Sequence, residues 1–343
     1  ELKRIYLPKM YSGQWAGTMV LTEPQAGSDV GDATTRAIPT DEPGVYLIKG
    51  TKCFISGGEQ DVTENIVHLV LARIEGAAPG TRGLSLFVVP KYLPNADGNP
   101  GEWNDITCVG IEHKLGHRGS PTCVLNFGEE GKCKGFLLGD PPGEDGSGQG
   151  MAQMFRMMNE ERLMSGLSGC ALAASAYHNA VKYCQERIQG RATTNPKAGR
   201  CAIIKHEDVK RMLMFQKAHI EAFRAMAIQT YYWVDIEKYS SDPDLVQQAK
   251  VFLEVNTPIV KAYCSDVALQ CISEALQCYG GYGFSEEYPV AEIYRDARIY
   301  PIWEGTNYIQ ALDLVGRKMT MKKGQVFAAW LKHIQDFIEA NKK

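Results

Sequence analysis

Glu304 lies in ARIYPIWEGTNYIQ, residues 297–310, between Trp303 and Gly305 and close to Tyr300 and Ile302. A surface glutamate needs no such setting, and a hydrophobic core avoids one. If this acid does chemistry, the chemistry is proton transfer, because burial among apolar groups disfavours the charged carboxylate and raises its proton affinity. If it does not, it is an incidental acid beside a turn. A second acid, Glu161 in MMNEERLMSG, precedes Arg162 near the start of a helical stretch. There the helix dipole alone would favour it as an acid of the N-terminal turn; the other reading makes it a second active-site acid.

Three further stretches bring polar groups to turns. In LTEPQAGSD, residues 21–29, Gly27 permits close backbone approach, and Thr22, Ser28 and Asp29 supply donors and acceptors. Composition alone fits an ordinary polar hairpin as well. In TKCFISGGEQ, residues 51–60, Phe54 offers a flat ring, Ser56 a hydroxyl and Gly57-Gly58 a tight turn. These suit a planar heterocycle or a plain hairpin. Gly280-Gly281 ends a helix, as glycine commonly does. No G-x-G-x-x-G opens a helix after a strand, and no G-x-x-x-x-G-K-[ST] occurs. His113 and His117 are four apart, but Gly116 and a β-like context argue against a helical metal pair, so no metal site is expected.

The elements that must position these residues fall into two textures. From residue 15 to about 138, short β-like runs such as VYLIKG, IVHLVLARI and LSLFVVP alternate with turn residues. They predict a small barrel or sandwich. GDPPGEDGSGQG, residues 139–150, reads as a linker by composition. From Met151 apolar residues advance by threes and fours. Long helices are expected to Cys184, over 207–239 and over 244–279, with Pro258 a possible kink. Shorter helices follow near 287–297 and 306–317, and 325–341 is amphipathic. The expected fold is therefore multidomain α+β, a β barrel or sandwich followed by a helical bundle of the four-helix type. The expected division is a β domain over 1–140, a linker over 141–150, a bundle over 151–320 and the start of a C-terminal extension over 321–343.

The 343 residues carry a net charge of −3, with no basic stripe and no apolar run long enough to span a membrane. A nucleic-acid partner and a membrane span are not expected. Ten cysteines contain no CxxC pair, and Cys264, Cys271 and Cys278 recur at heptad spacing on one predicted helix. They read as reduced core thiols of a cytoplasmic protein, or of a mitochondrial-matrix protein in a eukaryote.

Taken together, LTEPQAGSD, FISGG, QCYGGYGFSEEYPVAEIYRDARIYPIWEGTN and the β-then-helix order resemble the acyl-CoA dehydrogenase family. EHKLGHRGSPTCV and DLVGRK look closest to its long bacterial branch, which includes 3-methylmercaptopropionyl-CoA dehydrogenase-like enzymes. The resemblance runs from about Trp15 to Arg317 and implies the middle and C-terminal domains of a longer enzyme, without the family's N-terminal helical domain. It implies FAD and an acyl-CoA substrate. By motif, Met19, Leu21, Thr22, Gly27 and Ser28 would run along the flavin, and Phe54, Ile55 and Ser56 would meet its face and N5. Arg187, Gln189, Gln277, Gly280 and Gly281 would reach the FAD of a neighbouring subunit in a homodimer or homotetramer, and Thr306 and Asn307 would contact the dinucleotide. Ser28, Arg162 and Gly305 would meet the thioester, with Asn159 standing where relatives often have Asp.

The implied reaction is α,β-dehydrogenation to the 2-enoyl-CoA. Glu304 is expected to remove the α-proton while hydride passes to flavin N5. The Glu304 backbone N–H and a ribityl hydroxyl would polarise the carbonyl. Glu161 is the alternative base, since some relatives take theirs from that helix, or else a neighbour that tunes Glu304. The expected electron acceptor is an electron-transfer flavoprotein. The competing expectations are an oxidase that uses O2 and a truncated scaffold that binds no flavin.

Overall fold

The structure, a computed structural model, describes residues 2–342. Its contacts divide the chain into two compact units, one ending at Met157 and one starting at Met158. The first unit opens with a helix that the sequence reading did not anticipate, α1 (Leu2–Tyr11). Its Tyr6 packs on Trp15 with ring centroids 5.9 Å apart, beside Val67 and Val88.

Ten strands follow. They are β1 (Trp15–Val20), β2 (Arg36–Pro39), β3 (Val45–Ser56), β4 (Asn65–Ile74) and β5 (Leu84–Pro90). Then come β6 (Tyr92–Pro94), β7 (Pro100–Trp103), β8 (Ile106–Ile111), β9 (Thr122–Phe127) and β10 (Lys134–Leu138). The main sheet runs β1-β4-β5-β10-β3-β9-β8, and β2 pairs with both β3 and β4. That bridge closes β4, β5, β10, β3 and β2 into a ring around Ile48, Val70, Phe87 and Leu137. All of β5 and most of β4 are buried. Strands covered on both faces need unbroken apolar runs, which LSLFVVP and IVHLVLARI provide.

The stretch expected as a linker is laid against this unit. Ala78 N donates to Gly146 O at 2.9 Å, and Gly148 N donates to Arg82 O at 2.9 Å. A Cβ at Gly148 would sit 2.5 Å from Leu84 O, so glycine here serves close packing as well as turning.

The second unit is helical. The unit boundary falls inside α2 (Gly150–Glu186), and α3 (Glu207–Tyr239), α4 (Pro243–Tyr279), α5 (Pro289–Ala297), α6 (Asn307–Leu312) and α7 (Gln325–Ala340) follow. A π-helical turn, Asp313–Lys318, continues α6. Asp242 caps α4 by accepting from Asp244 N and Leu245 N, with Pro243 at the first helical position. α4 runs through Pro258 without ending and stops at Gly280, whose φ is +59°. Cys264, Cys271 and Cys278 are buried with Ala173, Ala176 and Phe223, as their spacing predicts, and all ten cysteines are free thiols. On the 321–343 stretch, α7 packs His333 edge-on to Trp233 and Phe252, each with ring centroids 5.8 Å apart. No helix among the described residues is long and apolar enough to cross a membrane.

Candidate functional site

In the helical unit the chain between α5 and α6 forms a compact turn. Trp303 N donates to Ile299 O at 3.0 Å, and Asn307 N donates to Pro301 O at 3.0 Å. Thr306 caps α6 by accepting from Ile309 N at 3.3 Å. Glu304 itself has φ +54°, followed by Gly305 at +81°. A left-handed conformation is costly for a residue with a side chain, and it persists only where surrounding contacts over-determine it.

Those contacts are present. The buried Arg162 directs Nε at Glu304 O, 3.4 Å away, and Gln310 donates Nε2 to Gly305 O at 3.1 Å. Arg162 Nη1 lies 3.7 Å from Asp313 Oδ2, and Asp313 Oδ1 accepts from Arg317 Nε at 2.7 Å. The Asn307 amide oxygen accepts from Lys261 Nζ at 2.8 Å, while its nitrogen donates to Ala262 O and to Ser265 Oγ. The turn is therefore tied to α2, to α4 and to the π-helical turn. Arg162 and Asn307, carried over as ligand contacts, are both engaged in holding this turn. The space beside Gly305 is taken from within, since a Cβ there would meet Gln310 Nε2 at 2.8 Å.

The turn raises the proton affinity of its acid. Burial pushes the Glu304 pKa up from 4.5 to about 7, helped by the charge of Glu161 and opposed by Arg162 and Lys261. Glu304 Oε2 is buried and has no hydrogen-bond partner among the described residues. Tyr300 is buried and meets the Trp303 ring edge-on at 5.0 Å. Ile302 departs from the expected apolar wall and stays 48% exposed. Glu161 is exposed on α2. Because α2 begins at Gly150, Glu161 lies three turns inside the helix, and its reading as an acid of the N-terminal turn is corrected.

A second feature of this unit is a cleft of about 690 Å³ where α2 and α4 end. Arg187, Gln189, Gln277, Gly280 and Gly281, far apart in sequence, all line it. Arg187 Nη2 donates to Gln189 Oε1 at 3.1 Å, and its guanidinium lies 5.6 Å from the Tyr282 ring centre. A guanidinium, amides, exposed glycine backbone and aromatic rings together suit a phosphate-bearing planar ligand.

In the β unit, LTEPQAGSD and TKCFISGG come together. Cys53 N donates to Thr22 O at 2.9 Å, and Glu23 and Ala26 exchange backbone bonds of 3.0 Å. The pairing of β3 with β9 slips between Lys52 and Ile55, and in that bulge Phe54 adopts φ +60° and stays 64% exposed. A bulge re-aims a side chain, and this one turns an aromatic ring outward. Ser28 and Ser56 are also exposed, Met19 and Thr22 partly so, and Gly27 has no atom near enough to meet a Cβ. Leu21 and Ile55 bury their side chains, so the expected cofactor contact falls to their backbone atoms alone.

Several residues of these sites escaped the sequence reading. Lys52 Nζ donates to Leu21 O at 2.8 Å and pairs with Glu23 Oε1 at 2.9 Å, with both side chains buried. Glu23 also accepts from Thr34 N, Thr34 Oγ1 and Thr35 N. Burial alone would raise its pKa, but Lys52 and these donors overcome it and hold the carboxyl near 2. The signal was present: Glu23 in one motif and Lys52 in the other are charges of opposite sign beside buried apolar neighbours. Lys261 carried no such signal, because it lies in ordinary helical sequence, and nothing in the sequence pairs Gln310 or Asp313 with the Glu304 turn.

Residues 18–129 match the family model described as acyl-CoA dehydrogenase, middle domain, and residues 148–320 match acyl-CoA dehydrogenase, C-terminal domain. The chain is 51% identical to a butyryl-CoA dehydrogenase of Syntrophomonas wolfei over all 343 residues, which are 56% of that protein. It is 45% identical to a 3-methylmercaptopropionyl-CoA dehydrogenase of Ruegeria pomeroyi, over 94% of the chain and 53% of the relative. The solved butyryl-CoA dehydrogenase of Megasphaera elsdenii superimposes with a TM-score of 0.72 at 28% identity, covering 92% of this chain and 70% of that one. The chain thus spans about half the length of the curated relatives it matches.

Proposed function

The chain belongs to the acyl-CoA dehydrogenase family, and from that premise we propose that it carries the catalytic base and the flavin-facing surfaces for α,β-dehydrogenation of an acyl-CoA thioester. The observation that carries the proposal is Glu304: a carboxylate on a strained, tethered turn, with one oxygen buried and unpartnered and a pKa near 7. Thioester α-protons are weakly acidic. A base poised near the working pH combines a useful ionised fraction with real proton affinity. Glu304 takes the α-proton, and Glu161 acts as the neighbour whose charge raises that affinity.

The residues present fit FAD. The cationic, aromatic cleft at Arg187 and Gln189 suits a dinucleotide, and the outward ring of Phe54, with Thr22, Ser28 and Ser56, suits a flavin. FAD, when bound, supplies the acceptor for the hydride that leaves the β-carbon. In a homo-oligomer the cleft residues serve a neighbouring subunit's cofactor, and electrons pass on to an electron-transfer flavoprotein. The substrates named for two relatives, butyryl-CoA and 3-methylmercaptopropionyl-CoA, support a short acyl chain.

The test is flavin bleaching by a short acyl-CoA in flavin-loaded protein. Glu304→Gln is expected to slow bleaching by roughly 10³-fold or more, the scale of losing a general base. Glu161→Gln is expected to keep the reaction but shift its acid limb to lower pH by up to about one unit. Bleaching at the normal rate in Glu304→Gln, with loss in Glu161→Gln, would transfer the role to Glu161.

A further inference from the structure

Lys261 is one of the largest fully buried side chains of the helical unit, and the α-proton transfer assigned to Glu304 gives it no direct part. Its sole hydrogen-bond acceptor among the described residues is the neutral amide oxygen of Asn307, 2.8 Å away. A buried ammonium with only a neutral partner is costly, so a compensating anion is expected nearby. The other cations here are spoken for. Arg162 and Arg317 face Asp313, and Lys318 pairs with Glu254. The anions that act on Lys261 are the exposed Asp266 on its own helix and the partly buried Glu304 across the turn.

We propose that Lys261 is a positioning residue for Glu304: its ammonium pins the strained turn to α4 through Asn307 and sets a cation across that turn from the carboxylate.

Two devices meet in one side chain. Mechanically, Lys261 and Ser265 fix the Asn307 amide, which follows Glu304 by three residues, so α4 holds the turn's far side as Arg162 holds its near side. Electrostatically, burial and Glu161 drive the Glu304 proton affinity up, and Arg162 and Lys261 are the cations that pull it back. Without that restraint the carboxylate would stay protonated at neutral pH and could not accept an α-proton. The influence is mutual. Burial, and less so Arg162, lower the Lys261 pKa while Asp266 and Glu304 hold it up, leaving it at about 8.

This inference rests on the reading of Glu304 as the base, but its test needs neither flavin nor thioester. In the full chain labelled with ¹³Cδ-glutamate, the Glu304 resonance is assigned by its loss in Glu304→Gln and followed against pH. Lys261→Met is expected to raise its midpoint by about one unit or more. Reciprocally, ¹³Cε-lysine labelling is expected to show the Lys261 midpoint falling by a similar amount in Glu304→Gln. If Lys261→Met does not fold, the reciprocal titration decides alone. An unmoved Glu304 midpoint in folded Lys261→Met, or an unmoved Lys261 midpoint in Glu304→Gln, would overturn the proposal. Either failure leaves the base assignment to be judged by bleaching, and a failed base assignment leaves the coupling measurable.

Discussion

At the residue scale, Glu304 combines two disfavoured states, a positive φ and a carboxylate with one oxygen buried. Its type and apolar neighbours were legible in the sequence, and so was the competing acid Glu161. Its backbone conformation was not, because no pattern marks a glutamate forced left-handed by contacts from α2, α4 and the π-helical turn. Lys261 was illegible for a related reason: one lysine in a helical run reads as a solvated charge. The raised pKa has a stability consequence. The folded value, about 7, lies above the ordinary 4.5, so folding is unpenalised below 4.5 and loses stability as pH rises through 7. Glu304→Gln is therefore expected to match the parent in thermal stability at pH 4.5. At pH 8.5 it is expected to exceed the parent by on the order of 1–3 kcal/mol, a rise of a few degrees in Tm. Equal melting at both pH values would contradict the raised proton affinity of Glu304.

At the element scale, the helices were largely legible because apolar periodicity and local end signals agree. Asp242-Pro243 starts α4 and Gly280 ends it. The strands were legible as runs, but their order was not, because pairing joins distant segments such as β1 with β4 and β10 with β3. The bulge at Phe54 and the Lys52–Glu23 clamp also depend on long-range pairing. That clamp joins the LTEPQAGSD and TKCFISGG stretches, so Lys52→Met, which strands the buried Glu23, is expected to cost the β unit about 3–5 kcal/mol. Urea-dependent hydrogen exchange of β3 and β4 amides measures this, and adding Glu23→Gln is expected to recover much of the loss. The Glu23 pKa is depressed to about 2 from 4.5, so its contribution is complete above pH 4.5 and fades as pH falls toward 2. Acid-induced exchange of these strands in that window checks the sign.

At the scale of the whole molecule, each unit contributes a distinct surface, and the cleft at Arg187 is the one that needs no base chemistry of its own. If it holds the dinucleotide of another subunit, Arg187→Ala is expected to lower flavin retention about tenfold or more while leaving the Glu304 titration unchanged. Flavin absorbance after gel filtration reads the first quantity and glutamate NMR the second. The central claim is that Glu304 removes the α-proton. It is tested most directly in D2O, with flavin-loaded protein and an acyl-CoA that has α-hydrogens but no β-hydrogen to give up as hydride. Mass spectrometry then reports deuterium entering the α-position. Wash-in is expected from the parent and from Glu161→Gln, rising with pH through about 7, with none above background from Glu304→Gln. Wash-in at the parent rate by Glu304→Gln would contradict that claim.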